Sequence, residues 1–504
     1  MCATICRETA PAEFESPEVG RIGLLARRGA WWSALLSVTR NALGLAATVL
    51  LSRLLVPDDY GLVGMAATMT VFLQAFADMG LSWATIQRKR LTRAEVDNLF
   101  WINAAVGILL WGVSAVCAPG LAVFFGRGEL TGLAIWMGAA FAVSGLAVQP
   151  MAVLVRSMRF KAIFWVEFMA VAVGAATAAA MAVMGFGFWA LVGQILASHS
   201  ARLMLVLAAS RYVPGPPTAD RKTLSLLKFG GALAVYNMIN YVSRNFDNVV
   251  IGWSCGSVSL AYYSRAYFLM SIPALLSSNT LTGVMVTSMS TLRHDPAQMA
   301  HAYRKAISAI ALTGLPMAGF LFVAAPELVR MLYGPRWSPV VPPLRWLAVA
   351  AMVQVVMATS GWLYIVTGRG WTMVWVGSVT AAVLVIAFLV GIRWGIEGVA
   401  ATYAVANLVL FVPLMAAGHQ VASMRLSDTL RALLPGATST LLAMSAGLAV
   451  GVAAGPASTP WASVLAAKAA AGSLILAGCG AFLARRSMAT WPATVRDFLP
   501  GRGQ

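Results

Sequence analysis

Charge is what this chain has least of. Only 11% of its 504 residues are charged, whereas a soluble domain carries about 25% to keep its surface wet. That shortage excludes a string of soluble domains. With 60% hydrophobic residues and a mean hydropathy of +0.78, most of the surface must face lipid. Acidic groups are the scarcer sign, 18 against 36 basic, for a net charge of +18. The excess is not a nucleic-acid footprint. Basic residues come in short clusters between apolar runs (Arg88-Lys89-Arg90, Arg221-Lys222, Arg485-Arg486), which is the pattern that orients membrane spans. Cysteine and histidine are also sparse. Cys2, Cys6, Cys117, Cys255 and Cys479 form no CxxC pair, and His199, His294, His301 and His419 have no metal-ligand spacing. No metal and no other cofactor is therefore expected. There is no GxxxxGK[ST] loop, which excludes ATP hydrolysis by that route. Any work would then draw on a gradient, with a proton or sodium gradient as the candidate, or the chain would only lower a barrier.

What the chain does have is a succession of apolar runs. A bilayer core of ~30 Å takes about 20 residues of helix, and runs of that length recur about fourteen times between residues 30 and 484. The fold class implied is all-α and integral to the membrane, with about fourteen transmembrane helices. The N-terminal stretch, with Glu8, Glu13, Glu15 and Glu18 and no apolar core, reads as a tail rather than a signal peptide.

An internal repeat divides the spans. Ala118-Pro119-Gly120-Leu121 recurs as Ala325-Pro326-Glu327-Leu328, and each is followed by an aromatic and a glycine, Phe125-Gly126 and Tyr333-Gly334. Gly185-Phe186-Gly187 matches Arg393-Trp394-Gly395, and Arg40-Asn41 matches Arg244-Asn245, all at offsets of 204 to 208. Two pseudo-symmetric six-helix lobes plus two C-terminal helices account for this. The expected division is a cytoplasmic tail at 1–28, an N-lobe at 29–209, a linker at 210–225 containing Pro214, Pro216 and Pro217, and a C-lobe at 226–418. Two extra spans at 419–484 and a cytoplasmic tail at 485–504 complete it. An even number of spans per lobe keeps both lobes in one orientation, related by an axis along the membrane normal with a cavity between them. The placement of Lys and Arg puts both termini in the cytoplasm.

Several segments carry a family likeness. They are Leu51-Ser52-Arg53-Leu54-Leu55-Val56-Pro57-Asp58-Asp59-Tyr60-Gly61, Ala77-Asp78-Met79-Gly80-Leu81, Phe246-Asp247-Asn248-Val249-Val250-Ile251-Gly252 and Ala261-Tyr262-Tyr263-Ser264-Arg265-Ala266. In these, across roughly residues 25 to 420, the chain resembles the polysaccharide-transporter (Wzx-type) flippases of the multidrug/oligosaccharidyl-lipid/polysaccharide exporter superfamily. The resemblance implies fourteen helices, two lobes and alternating access in the bacterial inner membrane. It also implies a substrate, a polyprenyl-pyrophosphate-linked oligosaccharide for lipopolysaccharide or exopolysaccharide biosynthesis. Partners implied are that lipid-linked oligosaccharide, membrane lipids and, as a further candidate, polysaccharide polymerase or export machinery.

Ionisable groups inside spans cost at least ~2.5–3.5 kcal/mol each, so they need a partner, water or a role. Arg40 and its repeat partner Arg244 stand deepest, with Arg53 and Arg265 near span ends. Together the four could line a cationic lumen for a pyrophosphate; Arg53 and Arg265 could equally snorkel to headgroups. Asp247 follows Arg244 by three residues on the same helix face. It is either an internal salt bridge or a coupling site at which a proton or cation competes for Arg244. Asp78 and Glu167 are gate or structural candidates. Pro273 removes a helical hydrogen bond and is the hinge candidate, with a static bend as the plain alternative. No catalytic residue is assigned. Two other functions compete: a cation-coupled drug exporter, which would favour an acidic cavity, and a membrane glycan polymerase, which would need larger outer loops than 327–342.

Overall fold

The structure, a computed structural model, describes residues 19–74, 76–77, 92–217, 221–422, 424–454 and 460–487. Among them there are helices and short helical turns and no strand. That is what lipid demands, because a helix satisfies its backbone hydrogen bonds within one segment. Eleven helical runs among the described residues are long and apolar enough to cross a membrane. Length and composition alone therefore do not reproduce the count of fourteen. Three of the eleven, Asn245–Thr291, Pro335–Thr367 and Gly370–Val421, contain internal breaks, at Gly256, at Ala358–Thr359 and at Ile392–Trp394.

By contacts the chain divides into two compact units, Met1–Ala261 and Tyr262–Gln504. The first holds α1 (Val19–Leu54), α2 (Pro57–Gln74), α3 (Arg93–Phe125), α4 (Glu129–Arg156), α5 (Phe160–Val183) and α6 (Trp189–Ser210). It also takes the start of α7 (Arg221–Ala274) as far as Ala261. α1 and α7 start inside the segments expected to be tail and linker, since a nucleated helix propagates past the lipid boundary one hydrogen bond at a time. Within this unit α3 packs on α4 and α5 on α6. A Cβ on Gly107 would overlap the Phe141 carbonyl and one on Gly145 would press on that of Asn103. Glycine is what lets the α3 and α4 backbones meet, the usual device where lipid removes any hydrophobic drive between helices.

The second unit runs from the end of α7 through a π-helical turn at Leu275–Asn279, α8 (Thr280–Thr291), α9 (Pro296–Val323) and α10 (Ala325–Leu332). After a 3-10 turn at Pro335–Val340 come α11 (Val341–Met357), α12 (Ser360–Thr367), α13 (Gly370–Gly391), α14 (Gly395–Val421), α15 (Leu426–Ala453) and α16 (Trp461–Ser487). Its core centres on Tyr303, Trp362 and Met415. Two polar groups beside it are paired: the Tyr303 hydroxyl with Thr359 Oγ1 at 2.9 Å, and His419 with Met415 O and Thr429 Oγ1.

The repeat seen in the sequence recurs in the backbone. Gly126 (φ 67°) and Gly334 (φ 93°) both take positive φ 208 residues apart, as do Gly187 (φ 57°) and Gly395 (φ 68°). Met158 (φ 52°) and Gly368 (φ 70°) each precede an arginine of nearly the same conformation, Arg159 (φ −82°, ψ 55°) and Arg369 (φ −89°, ψ 57°). The paired prolines behave differently. Pro119 lies inside α3, whereas α9 stops at Val323 and Pro326 opens the separate helix α10.

Candidate functional site

The structure distributes the expected site residues rather than gathering them. Arg40 and Arg53 are exposed on α1, and Arg265 is half-buried in α7. Arg53 and Arg265 both have interaction partners. The Arg244 side chain and the whole of Asp78 lie outside the described residues. Asp247 is 1% exposed and accepts a hydrogen bond from the Asn248 backbone N–H at 2.8 Å. Glu167 of α5 pairs with Arg202 of α6 at 2.7 Å, which ties two neighbouring spans together. Pro273 is buried in the last turn of α7, just before the π-helical turn, and its carbonyl accepts from the Ser277 hydroxyl at 2.5 Å.

A cluster at one end of the first unit does come together, from residues far apart in sequence. Pro57 and Asp58 open α2, where proline suits the first helical turn and an acid suits the positive end of the helix dipole. Asp59 closes that start by accepting from the Val56 N–H at 3.1 Å. Gly126 ends α3 in the left-handed region, a conformation glycine takes without a Cβ penalty. The chain then turns, and Arg127 N–H bonds back to the Ala122 carbonyl at 3.0 Å. Gly256 (φ 81°, ψ 177°) breaks α7 and presents Ser257 at the head of the next helical stretch.

These three chain breaks bring their polar neighbours onto one guanidinium. Arg127 holds both oxygens of Asp58, at 3.0 and 3.3 Å, and donates to Ser257 Oγ at 3.2 Å. It also reaches Glu129 at 3.4 Å. The Ser257 hydroxyl donates to Asp58. The fork-shaped, two-point geometry is the strong form of an arginine–carboxylate pair. Arg127 holds the Asp58 carboxyl below its ordinary value, and Asp58 in turn raises the guanidinium. Asp59 beside it is pushed up, chiefly by burial. Side-chain exposures of 32% and 37% leave Arg127 and Asp58 well solvated, so the pair is worth about 1 kcal/mol at most. Under this cluster the backbones touch: a Cβ on Gly61 would overlap the Ser257 carbonyl. The arrangement is a clasp, close-packed below and ionic above.

At the other end of α3 the helix-free stretch 212–217, the first part of the expected linker, is strapped to that helix. The Tyr212 hydroxyl donates to Asp97 Oδ1 at 2.5 Å, and Trp101 Nε1 donates to the Gly215 carbonyl at 2.8 Å. Burial, reinforced by Asp97, raises the Tyr212 phenol well above its usual range.

Sequence reasoning quoted Asp58, Asp59 and Tyr60 only as carriers of a likeness and gave Arg127 no role. The signal available was that Arg127 directly follows a repeat glycine; nothing local could point to Ser257, 130 residues further on.

The family described as "Polysaccharide biosynthesis protein" matches residues 50–342. Two relatives match over about two thirds of this chain. The succinoglycan biosynthesis transport protein ExoT of Rhizobium meliloti (strain 1021) is 26% identical over 323 residues, 64% of this chain and 65% of that protein's length. The lipopolysaccharide biosynthesis protein WzxC of Escherichia coli (strain K12) is 23% identical over 347 residues, 68% of this chain and 70% of its own. Among solved structures, the lipid II flippase MurJ in an inward closed conformation superposes with a TM-score of 0.72 at 13% identity. The superposition covers 90% of this chain and all of MurJ. An inward-facing multidrug resistance MATE transporter reaches 0.54 at 15% identity, over 77% and 98%. At these identities the likeness is one of fold.

Proposed function

We infer the activity from one premise: the chain belongs to the polysaccharide biosynthesis protein family. The reading is a flippase that carries polyprenyl-pyrophosphate-linked oligosaccharide repeat units across the bacterial inner membrane by alternating access, for lipopolysaccharide or exopolysaccharide biosynthesis. No covalent chemistry is involved. The names of the relatives, a succinoglycan transport protein and a lipopolysaccharide biosynthesis protein, support the substrate class.

The clasp carries the mechanism. A pyrophosphate and its sugars need a wet path, and a path open at both ends would leak ions, so each end has to shut in turn. The Asp58–Arg127–Ser257 cluster suits a shutter. It draws Asp58 from the first half of the repeat against Ser257 from the start of the second. Its ion pair is solvated enough to part on the scale of ~1 kcal/mol. With both termini cytoplasmic, this end is the outer one. Arg40, Arg53, Arg244 and Arg265 then hold the pyrophosphate through always-charged planar donors, while Asp247 couples Arg244 to a proton or sodium gradient.

Mass spectrometry of membrane lipids from cells lacking the protein tests this reading, with surface polysaccharide assayed alongside. Accumulated polyprenyl-pyrophosphate-linked repeat units with the polymer missing outside are expected, and Arg244→Ala should reproduce both. A normal surface without accumulation would sink the assignment and move a drug exporter of the same fold to the front.

A further inference from the structure

The second unit interrupts its spans at one level. Pro273 and the π-helical turn at Leu275–Asn279 interrupt the span that runs from α7 into α8. Ala358 and Thr359 separate α11 from α12. The Ser278 hydroxyl joins these two places, donating to the Val355 carbonyl at 2.6 Å. Gly314 of α9 lies against both: a Cβ there would overlap Val355 and stand 2.8 Å from Ser277 Oγ, and Pro316 follows in the same helix. α14 is marked at the same height. Its Asn407 accepts from Gln354 and its Gly418 faces Ser360, so Pro413, between them, is level with the α11–α12 break.

The carbonyls at these interruptions are met by short hydroxyls: Pro273 O by Ser277, Val355 O by Ser278, and Val356 O by Thr359 at 2.7 Å. In lipid a carbonyl without a donor is costly, and a hydroxyl can rotate to follow its acceptor as the backbone bends. The packing on either side is firmer. On one side Trp362 Nε1 donates to Thr282 Oγ1 at 3.0 Å and meets the Tyr303 ring edge-on. On the other, the rings of Tyr267 and Phe388 pack on Tyr403 at 6.2 and 5.6 Å. The matching spans of the first unit lack these interruptions. Residues 67–71, 208 before the π-helical turn, lie inside an unbroken α2, and Pro150, 208 before Ala358, lies inside a continuous α4.

We propose that this level is a hinge: α8 and α12 swing together as one block against α11 and the end of α7, while the matching spans of the first unit stay straight. Proline, a π-helical turn and a side chain inserted into the backbone ladder are the recognised causes of helix bending, and here they stand side by side on neighbouring helices. Ser278 makes the two bends one event, because its hydroxyl belongs to the first interruption and its acceptor to the second. Gly314 leaves the room in which they close on each other. The hinge rests on the alternating-access reading for its purpose only; the bending itself is measured without cargo.

The test is pulsed electron resonance on the full-length protein in lipid nanodiscs, with spin labels at Ser290 of α8 and Leu441 of α15, both exposed. Thr440, next to Leu441, packs on Gly319 of α9 beyond Gly314, so the labels lie on opposite sides of the level. Ser290 is about 18 Å past Ser278 along the helix, and a kink of ~20° moves it by about 6 Å. Wild type should show two distances about that far apart. Gly314→Ala wedges a methyl between Val355 and Ser277 and should cut the minor population about tenfold. Pro273→Ala returns a helical hydrogen bond without adding bulk and should cut it about threefold, whereas Pro150→Ala should change neither population. A single narrow distance in wild type would make the interruptions a static bend and overturn the proposal. Two populations that ignore both Gly314→Ala and Pro273→Ala, or that answer equally to Pro150→Ala, would overturn it too. A protein that bends as expected, while cells lacking it keep a normal polysaccharide surface, would keep the hinge and lose only the transport reading.

Discussion

One aromatic–glycine pair is used twice in this chain, in two different turns. In the first half Phe125-Gly126 leads into Arg127; 208 residues later Tyr333-Gly334 leads into Pro335, and both glycines have positive φ, with ψ 27° at Gly126 and 175° at Gly334. After Gly126 the neighbours are ionic and half-exposed: Asp58, Glu129 and Ser257 around one guanidinium. After Gly334 they are aromatic and dry. Trp337 and Tyr333 are each 1% exposed, with ring centroids 5.7 Å apart, and Tyr262 meets Trp337 edge-on at 5.9 Å. A buried aromatic cluster is held by several kcal/mol and does not part on a transport timescale, whereas a solvated ion pair can. One sequence device thus gives a solvated ionic corner in one half and a dry aromatic one in the other; on the proposed function the first is releasable and the second fixed.

The contrast extends to the matched prolines. Pro119 stays within α3, while the chain at Pro326 breaks and restarts. The break frees the Val323 carbonyl and places Glu327 on α10, and Lys468 from the final helix takes both. The last two helices, which the repeat does not contain, are thereby wired into the second half at the point where it departs from the first.

Truncating the dry corner should have the largest effect. Trp337→Ala removes a buried indole and should cost about 3–5 kcal/mol, read as a fall in thermal stability in detergent. Arg127→Ala should leave that melting temperature nearly unchanged. Equal losses in the two variants would erase the distinction between fixed and releasable corners. Next comes the packing below the clasp. Gly61→Val puts a branched side chain where even a Cβ overlaps the Ser257 carbonyl, so the end cannot close. Folded protein should remain in the membrane with export of surface polysaccharide down by about an order of magnitude, a factor equivalent to about 1.4 kcal/mol. Wild-type export would mean that the contact is not remade during transport.

Much of this architecture was legible in the sequence, for physical reasons. Apolar runs of span length can hardly be anything but helices in lipid, and the aromatic–glycine pairs marked the repeat because a positive φ favours glycine wherever it recurs. The clasp was not legible. Asp58, Arg127 and Ser257 are joined by three chain breaks, and no local pattern fixes which helix ends will meet. The intramembrane arginines were easy to name because burial is costly, yet cost alone does not say what they face; Arg40 turned out to be exposed on α1. Glu167 shows the complement. Its partner Arg202 lies on the adjacent helix α6, one span away, where a pairing between neighbours could have been anticipated.

A smaller effect isolates the ion pair itself. Spin labels at Val56 and Val258, exposed at 45% and 41% beside the clasp, report its opening as a distance. Arg127→Ala should shift the closed-to-open ratio about fivefold, the equivalent of ~1 kcal/mol. Arg127→Lys should fall between, because a point charge cannot grip both Asp58 oxygens.

The smallest effect, and the sharpest, is the pH dependence of that distance. Asp58 is held below its ordinary value by Arg127, with Ser257 assisting. Its contribution to closure is therefore complete above the usual carboxylate value of about 3.9 and disappears as pH falls through the depressed one. Asp59 is shifted the other way by burial, with the Asp58 charge adding to it. Ionising Asp59 opposes closure, and that opposition fades as pH falls through its raised value. The two acids thus act in sequence on acidification: Asp59 is neutralised first and closure tightens slightly, then Asp58 is neutralised and the clasp lets go. The closed population should pass through a shallow maximum on the acid side of neutrality and drop below about pH 4. Asp59→Asn should flatten the rise and keep the drop, whereas Arg127→Ala should keep the rise and lose the drop. A single monotonic titration, unchanged by either substitution, would place the control of this end somewhere other than the clasp.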